Sequence, residues 1–195
     1  MTETAEVPAN GPQIIILGVT GSGKSALAEA LAESTGLAVV EVDALSEQVL
    51  GASMQDAFVQ NPQRAEEVLL ENALKALEVG AKGFEIVVLT PSAGANPAVL
   101  AEISRCKQAG STVVAVDAPL DVLARRAGLV AAQPGYLGTP RAWFRSMHQA
   151  LTEGYATVAE EWFDTETQSP WDIAVQIAAM RKLDLQPDTE RRKRE

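Results

Sequence analysis

One short glycine-rich segment constrains the fold of this chain more than any other feature of its sequence. Residues 18–25 read Gly-Val-Thr-Gly-Ser-Gly-Lys-Ser. They follow an isoleucine-rich run at residues 13–17 and precede a stretch of alanine and leucine at helical spacing. A glycine-rich turn between a buried strand and a helix is typical of layered α/β domains. This arrangement predicts that further pairs of strand and helix follow along the chain.

Short apolar runs and longer helical stretches do alternate along the rest of the sequence. Each run is apolar on consecutive residues and rich in valine or isoleucine, as expected for a strand that is buried on both faces. Strands are predicted at residues 13–17, 38–42, 85–89, 112–116 and 161–165. Helices are predicted at residues 25–34, 64–79, 97–109, 120–127, 141–159 and 171–183. Strict alternation predicts βαβ crossovers and a parallel sheet with helices on both faces.

The two ends of the chain differ from the region between them. Residues 1–12 show no hydrophobic periodicity and are interpreted as a flexible leader. Residues 13–185 are predicted to form one domain, because 195 residues of which 47% are apolar suffice for a single core. Residues 186–195 are almost wholly polar or charged and are interpreted as a solvated tail, with docking to an anionic surface as the alternative.

Charge and residue usage exclude several classes of function. The net charge is -10, from 16 basic and 26 acidic residues, and this excess opposes binding to nucleic acid. No apolar run reaches the roughly 18 residues of a membrane span, and Glu3 and Glu6 stand where a signal peptide is basic. A cytoplasmic protein with neither a nucleic-acid nor a membrane partner is therefore predicted. One cysteine, Cys106, and one histidine, His148, argue against a disulfide framework and a zinc site.

Residues 18–25 match G-x-x-x-x-G-K-[ST] at every fixed position, which predicts a phosphate-binding loop. The glycines allow backbone N–H groups to converge on phosphate oxygens, and the helix that follows adds its positive end. Lys24 is expected to act as a catalytic cation on the β and γ phosphates, and Ser25 to ligate Mg²⁺. The residues expected to bind a nucleoside triphosphate are Gly21, Ser22, Gly23, Lys24, Ser25 and Ala26.

Two carboxylates at the end of the second predicted strand complete the candidate site. The third predicted strand runs into Thr90 without a carboxylate, so a second metal ligand must come from elsewhere. Glu41 and Asp43 are two residues apart, which places both on the same face of a strand. We expect Glu41 to hold Mg²⁺ with Ser25, and Asp43 to orient or deprotonate an acceptor hydroxyl. The alternative is that both acids merely end the strand and cap a helix from Ala44.

With these motifs, residues 13–183 resemble the shikimate kinases, which phosphorylate a hydroxyl of shikimate with MgATP. Residues 40–43 are similar to the family's strand end with two acids, and residues 47–53 are similar to the stretch after it. Arg125-Arg126 is similar to a helix end whose second arginine stacks on adenine, and residues 165–170 to the loop that frames adenine.

The resemblance implies a three-layer α/β/α P-loop kinase fold with a five-stranded parallel sheet in the order 2-3-1-4-5. It also implies ATP and Mg²⁺ as cofactors, a small-molecule hydroxyl acceptor, and a position for Arg126 and Pro170 around the base. A mobile lid is expected at residues 130–139, where the segment is rich in glycine.

On the acceptor side the sequence departs from that family. The positions that align with two substrate-binding arginines hold Glu67 and Leu151, and the lid arginine is replaced by Gln133. A triple-glycine turn after the third strand is replaced by Thr-Pro-Ser-Ala-Gly at residues 90–94. Loss of a bidentate guanidinium removes a contact worth roughly 2–5 kcal/mol to a carboxylate ligand. The candidate substitutes on neighbouring helix turns are Arg64, Arg141 and Arg145.

The sequence therefore predicts a kinase whose acceptor is shikimate or a related small hydroxy acid or polyol, and it leaves the oligomeric state open. A pseudokinase that binds ATP without transfer is the alternative favoured by the lost arginines. A gluconate-kinase-like enzyme is a further alternative, because its glycine loop is similar, although that family's Asp-Gly-Asp-x-x-His segment is absent.

The remaining landmark side chains are predicted to be structural. His148 is interpreted as a packed or surface residue, because a lone histidine within a helix is seldom a catalytic base. Cys106 is interpreted as a small buried side chain of a helix. The aromatic side chains predicted to pack in or near the core are Trp143, Phe144, Trp162 and Trp171.

Overall fold

The computed structural model describes residues 13–79, 85–128 and 139–186, with backbone alone for Val79 and residues 139–141. The strands in these ranges are β1 Ile14–Gly18, β2 Val39–Glu41, β3 Ile86–Val88, β4 Thr112–Asp117 and β5 Glu161–Asp164. The helices are α1 Lys24–Thr35, α2 Val42–Leu50, α3 Met54–Gln60, α4 Pro62–Val79, α5 Pro91–Gly94, α6 Pro97–Gln108, α7 Leu120–Arg126, α8 Thr139–Tyr155 and α9 Pro170–Arg181.

Every predicted strand and every predicted long helix is confirmed, with ends that differ by a few residues. The short helices α2, α3 and α5 are additional to those predictions. The predicted leader, the predicted lid at residues 130–139 apart from Thr139, and the tail from residue 187 lie outside the described residues.

The sheet has the order β2-β3-β1-β4-β5, and all its strand pairs are parallel, which confirms the predicted fold class. In the centre of the sheet, Ile15 of β1 lies between Val87 of β3 and Val113 of β4. Because the strands are parallel, their carboxyl ends meet at one edge, where ligands of open α/β sheets bind. The glycine-rich segment leaves β1 in the middle of that edge.

Helices cover both faces of the sheet, and the strand side chains alternate between two cores. On one face, Ile14 and Ile16 pack with α1 and α9 through residues such as Leu27 and Ile173. On the other face, the alternate residue Ile15 packs with helices α4, α6, α7 and α8. Successive side chains of a strand point to opposite faces of the sheet, and both faces are buried here. The strands therefore appear in the sequence as continuous apolar runs.

The second strand is shorter than predicted, and this changes the geometry of the two acids. β2 ends at Glu41, Val42 begins α2, and Asp43 lies in the first turn of that helix. The prediction that Glu41 and Asp43 share a strand face is therefore wrong, and the helix starts two residues before Ala44. Val42 reads as a strand residue because it is β-branched, but its side chain is fully buried in the core at the start of the helix.

Two of the four aromatic side chains expected in or near the core are exposed instead. Trp143 is 61% exposed because it is one residue from Phe144, which takes the buried face of α8. Trp162 is 40% exposed because β5 is an edge strand whose neighbour Phe163 faces the core. Phe144 and Cys106 are buried as predicted, and Trp171 is half-buried. None of the described helices combines the length and the apolar character needed to cross a membrane.

Candidate active site

The turn between β1 and α1 depends on glycine at three positions. Gly21 and Gly23 have φ angles of 82° and 91°, in the left-handed region that other residues rarely adopt. At Gly18, a Cβ atom would lie 2.5 Å from the hydroxyl oxygen of Ser22 and 2.5 Å from the carbonyl oxygen of Val116. The backbone can follow this path only with glycine at these three positions.

Polar groups in this loop are left available for a ligand. Within the described residues, the amides of Gly23, Lys24 and Ser25 have no hydrogen-bond partner, as expected at a helix N-terminus. The side chain of Ser22 is fully buried, and its hydroxyl oxygen has no partner among those residues either. Unpaired amides beside an orphaned hydroxyl and a lysine fit the oxygens of a polyphosphate.

Lys24 is the first residue of α1, and its amine reaches back over the loop and donates to the carbonyl oxygen of Val19 at 3.1 Å. Burial lowers the pKa of Lys24 to about 8, although the negative charges of Asp43 and Glu41 act in the opposite direction. The amine is therefore still mostly protonated at neutral pH. It is a partly desolvated cation, which interacts strongly with an anion that enters the site.

The two acids predicted from the sequence lie beside this lysine. The hydroxyl of Ser25 donates to Oε2 of Glu41 at 3.2 Å, so the two oxygen ligands expected for Mg²⁺ are adjacent. Burial raises the pKa of Asp43, and the nearby charge of Lys24 partly opposes this effect. The structure thus brings Lys24, Ser25, Glu41 and Asp43 together, with Asp43 placed by a helix turn rather than by a strand.

The residues expected to hold the base lie on the other side of the loop. Nη1 of Arg126, at the end of α7, donates to the hydroxyl of Thr165 at 2.8 Å, and Nη2 donates to the carbonyl of Thr165 at 3.0 Å. Pro170 begins α9 after Ser169, whose side chain caps the helix. Ala26 is exposed in the first turn of α1. The position of Arg126 is thus fixed by the loop that follows β5.

The residues expected from the sequence to align with substrate-binding arginines do not form a cluster of cations. Glu67 is exposed on α4 and pairs with Arg64 at 3.6 Å. Leu151 lies on the buried face of α8 and packs in the core, so this position offers no polar group to a ligand. Arg145 is exposed on α8, whereas the side chain of Arg141 and the residue Gln133 lie outside the described part. Of the two candidate arginines whose side chains the structure describes, Arg64 has an acidic partner, and none is seen for Arg145 among the described residues.

The turn after β3 is a short helix rather than an open glycine turn. The hydroxyl of Thr90 accepts the amide of Ala93 at 3.1 Å and so caps α5. The hydroxyl of Tyr155 on α8 donates to the carbonyl of Pro91 at 3.0 Å. At Gly94, a Cβ atom would lie 3.2 Å from Leu17 and 3.4 Å from Tyr155, so the turn is packed closely against the core.

Three side chains at this edge were not singled out as site residues from the sequence. Thr165 contacts the glycine loop, Asp117 ends β4 beside it, and Tyr155 holds the turn after β3. Asp117 binds His148, so the lone histidine is neither free nor packed in apolar surroundings. Of these three residues, Asp117 could have been identified from the sequence, because it directly follows a predicted strand and ligands bind at the carboxyl ends of parallel strands.

A family model and curated relatives name the same family. A family model described as shikimate kinase matches residues 20–182. Shikimate kinase of Salinispora arenicola is 31% identical over 169 residues, which cover 87% of this chain and 97% of that protein. Shikimate kinase of Thermobifida fusca is 30% identical over 169 residues, which cover 86% of this chain and 93% of that protein.

A solved structure shows the same fold. Shikimate kinase from Acinetobacter baumannii in complex with shikimate matches with a TM-score of 0.69, over 87% of this chain and 92% of that one. Its sequence identity is 19%, so this likeness concerns the fold.

Proposed function

Because the chain belongs to the shikimate kinase family, we propose that it transfers the γ-phosphoryl group of ATP to a hydroxyl of shikimate or of a related small hydroxy acid or polyol. The observation that carries this proposal is the cluster of Lys24, Ser25, Glu41 and Asp43 beside a glycine loop with unpaired amides. One cation, two oxygen ligands and one carboxylate with a raised pKa are the groups that phosphoryl transfer to a hydroxyl requires.

The nucleotide would be held by the loop and by the segment after β5. ATP with Mg²⁺ would supply the phosphoryl group and part of the charge neutralisation. The amides of residues 23–25 would bind phosphate oxygens. Lys24 would stabilise the negative charge that develops on the β-phosphate of ADP, the leaving group, as its bond to the γ phosphorus breaks. Arg126 and Pro170 flank the base in this proposal, because Arg126 is fixed against Thr165.

The acceptor hydroxyl would meet Asp43. A carboxylate whose pKa is raised by burial is a stronger base than an exposed one, so Asp43 is suited to accept the hydroxyl proton as the new P–O bond forms. Ser25 and Glu41 provide adjacent oxygens for Mg²⁺, with Glu41 acting directly or through water. Each group thus has one role, and none of the roles requires a residue outside the described part.

The acceptor side supports a hydroxyl-rich compound over one that is recognised mainly by its carboxylate. Leu151 is buried, and the position expected to align with a substrate-binding arginine holds an acid, Glu67, which pairs with Arg64. A like charge opposes an anionic acceptor, whereas a hydroxyl group donates a hydrogen bond to a carboxylate. The same losses favour the second candidate function, an ATP-binding module without transfer.

A coupled assay of ADP release tests the proposal. The full chain is supplied with MgATP and, in separate reactions, with shikimate, with quinate and with a neutral cyclic polyol. We expect acceptor-dependent ADP release with at least one of them. Asp43→Asn should lower kcat by about 10²- to 10⁴-fold, because the proton acceptor is lost, while the affinity for MgADP changes little.

The control variant is Glu71→Gln, which makes the same chemical change on the exposed face of α4, where Glu71 pairs with Lys75. It should turn over like the wild type. Tight MgATP binding without ADP release on any acceptor would contradict the kinase proposal and support the module without transfer.

A further inference from the structure

We propose that Thr165 is a positioning residue of the phosphate loop, whose hydroxyl fixes the peptide group between Ser22 and Gly23. This inference rests on the proposed nucleotide site. The hydroxyl oxygen of Thr165 lies 2.9 Å from the carbonyl oxygen of Ser22, although the two residues are 143 positions apart. A residue of the loop after β5 thus holds the backbone of the loop after β1.

The hydrogen-bond roles at Thr165 follow from the chemistry of its partners. Nη1 of Arg126 lies 2.8 Å from the hydroxyl oxygen and can only donate, so it occupies a lone pair of that oxygen. The single hydroxyl proton is then free to point to a carbonyl. The hydroxyl oxygen is 2.9 Å from the carbonyl oxygen of Ser22 and 3.2 Å from that of Asp117. The hydroxyl therefore donates its hydrogen bond to the nearer carbonyl, that of Ser22.

Holding the carbonyl of Ser22 also aims the amide of Gly23. The two groups belong to one planar trans peptide and point in opposite directions. The carbonyl faces Thr165, so the N–H of Gly23 faces away from it, and no described residue accepts this N–H. Gly23 lies at φ 91°, where rotation is sterically easy, so a contact from outside the loop is needed to fix this orientation.

Thr165 is itself held rigidly by its surroundings. Its amide donates to the carbonyl of Asp117 at 2.9 Å, where β4 and β5 end side by side. Its carbonyl accepts Nη2 of Arg126 at 3.0 Å, and Nη1 of the same guanidinium lies 3.5 Å from the carbonyl of Gly21. The orientation of the phosphate loop is therefore set by the edge of the sheet as well as by its own glycines.

The methyl group and the hydroxyl of Thr165 can be tested separately, because one substitution removes each of them. Its methyl group would be 3.5 Å from a Cβ atom at Gly23, an ordinary van der Waals distance. Thr165→Val keeps this shape and removes the hydroxyl, whereas Thr165→Ser keeps the hydroxyl and removes the methyl group. Thr157→Val is the matched control, because Thr157 is exposed, its hydroxyl donates to the carbonyl of Gly154 at 2.7 Å, and it precedes the amino end of β5, at the opposite edge of the sheet.

The first measurement uses the full chain without ligand. The ¹⁵N order parameter of the Gly23 amide should be near the ~0.85 of rigid backbone in the wild type, in Thr165→Ser and in Thr157→Val, and should fall below ~0.6 in Thr165→Val. Should Thr165→Val not fold, Thr165→Ala removes the same hydroxyl and is expected to give the same fall.

The second measurement is calorimetric titration with MgADP. Thr165→Val should bind about tenfold more weakly than the wild type, and Thr165→Ser within about threefold, because rescue by serine separates the hydroxyl from a general packing role. An unchanged Gly23 order parameter and affinity in Thr165→Val, or an equal loss in Thr165→Ser, would overturn the inference. Failure of the wild type to bind MgADP would contradict the proposed function, while the order parameter still decides the role of Thr165.

Discussion

Nε2 of His148 lies 3.0 Å and 2.9 Å from the two carboxylate oxygens of Asp117, and this contact joins α8 to the carboxyl end of β4. The side chains are 18% and 27% exposed. Oδ1 of Asp117 also accepts the amide of Ala118 at 2.9 Å. This carboxylate is therefore partly desolvated and faces two polar groups, whereas Lys75 and Glu71 on α4 form a pair that is 62% and 57% exposed.

A double-mutant cycle with His148→Ala and Asp117→Ala measures the worth of this contact. We expect a coupling free energy of about 1–2 kcal/mol in urea unfolding, because partial burial reduces screening by water. The cycle for Glu71 and Lys75, an exposed pair within α4, is the control and should give about 0.3–0.5 kcal/mol. Equal coupling in both cycles would show that the burial of Asp117 adds nothing.

Lys24→Met should stabilise the protein measured without ligands, although it removes the cation that we propose acts on the phosphates. The pKa of Lys24 is about 8 against an ordinary value of 10.5, so its surroundings disfavour the charged form. At pH 7 both folded and unfolded chains carry the proton, and the folded chain bears the full desolvation penalty. We expect the variant to be more stable by about 1–3 kcal/mol in urea unfolding.

The advantage of Lys24→Met should disappear at alkaline pH. Between pH 8 and 10.5 the folded wild type has released the proton that the unfolded chain still holds, so wild-type stability rises relative to that of the variant. Lys75→Met, which removes an exposed lysine, should differ from the wild type by less than about 0.5 kcal/mol at pH 7. A destabilised Lys24→Met variant at pH 7 would refute this assignment.

Gly21→Ala and Gly51→Ala separate backbone strain from steric overlap. Both glycines have positive φ, 82° and 66°. A Cβ atom at Gly21 would lie 2.9 Å from the carbonyl of Leu123, whereas one at Gly51 would meet nothing within 4 Å. We expect Gly51→Ala to lower the free energy of unfolding by about 1 kcal/mol and Gly21→Ala by about 2–4 kcal/mol. Equal losses of unfolding free energy in the two variants would show that the steric overlap at Gly21 is relieved by movement of the loop at no measurable cost.

Cys106 should be inert towards thiol reagents in the folded protein. Its side chain is fully buried in α6, its sulfur lies 3.7 Å from the carbonyl oxygen of Leu77, and burial raises its pKa to about 11. Since the thiolate is the reactive form, an aromatic disulfide reagent at pH 8 should react within minutes in denaturing urea and negligibly without it. Rapid reaction of the native protein would contradict the observed burial.

The parts of the site that depend on neighbouring residues could be predicted from the sequence. The glycine pattern predicts the loop before Lys24, because at Gly18 and Gly21 a Cβ atom would come too close to neighbouring atoms. The arrangement around Asp43 could not be predicted in this way. Alternation of Val and acidic residues at 40–43 indicates a strand, but packing of α2 on α4, with Asn72 donating to Ser46 at 3.1 Å, favours a helix.

Contacts between distant residues were also beyond sequence reasoning. Asp117 and His148 are separated by 31 positions, and nothing in either local pattern indicates the other. Their pairing depends on how α8 is placed against β4, and this placement comes from apolar residues such as Phe144 and Tyr155 on the same helix face.

The carbonyl of Val19 accepts two donors, the amide of Ser22 at 3.2 Å and the amine of Lys24 at 3.1 Å. An arriving phosphate therefore displaces only the amine, while the bond from Ser22 keeps the main chain in its turn. Rotation of a side chain takes picoseconds to nanoseconds, far less than the interval between productive collisions. Entry of a phosphate into this loop is then expected to require rotation of the Lys24 side chain, with the bond from Ser22 to Val19 left in place.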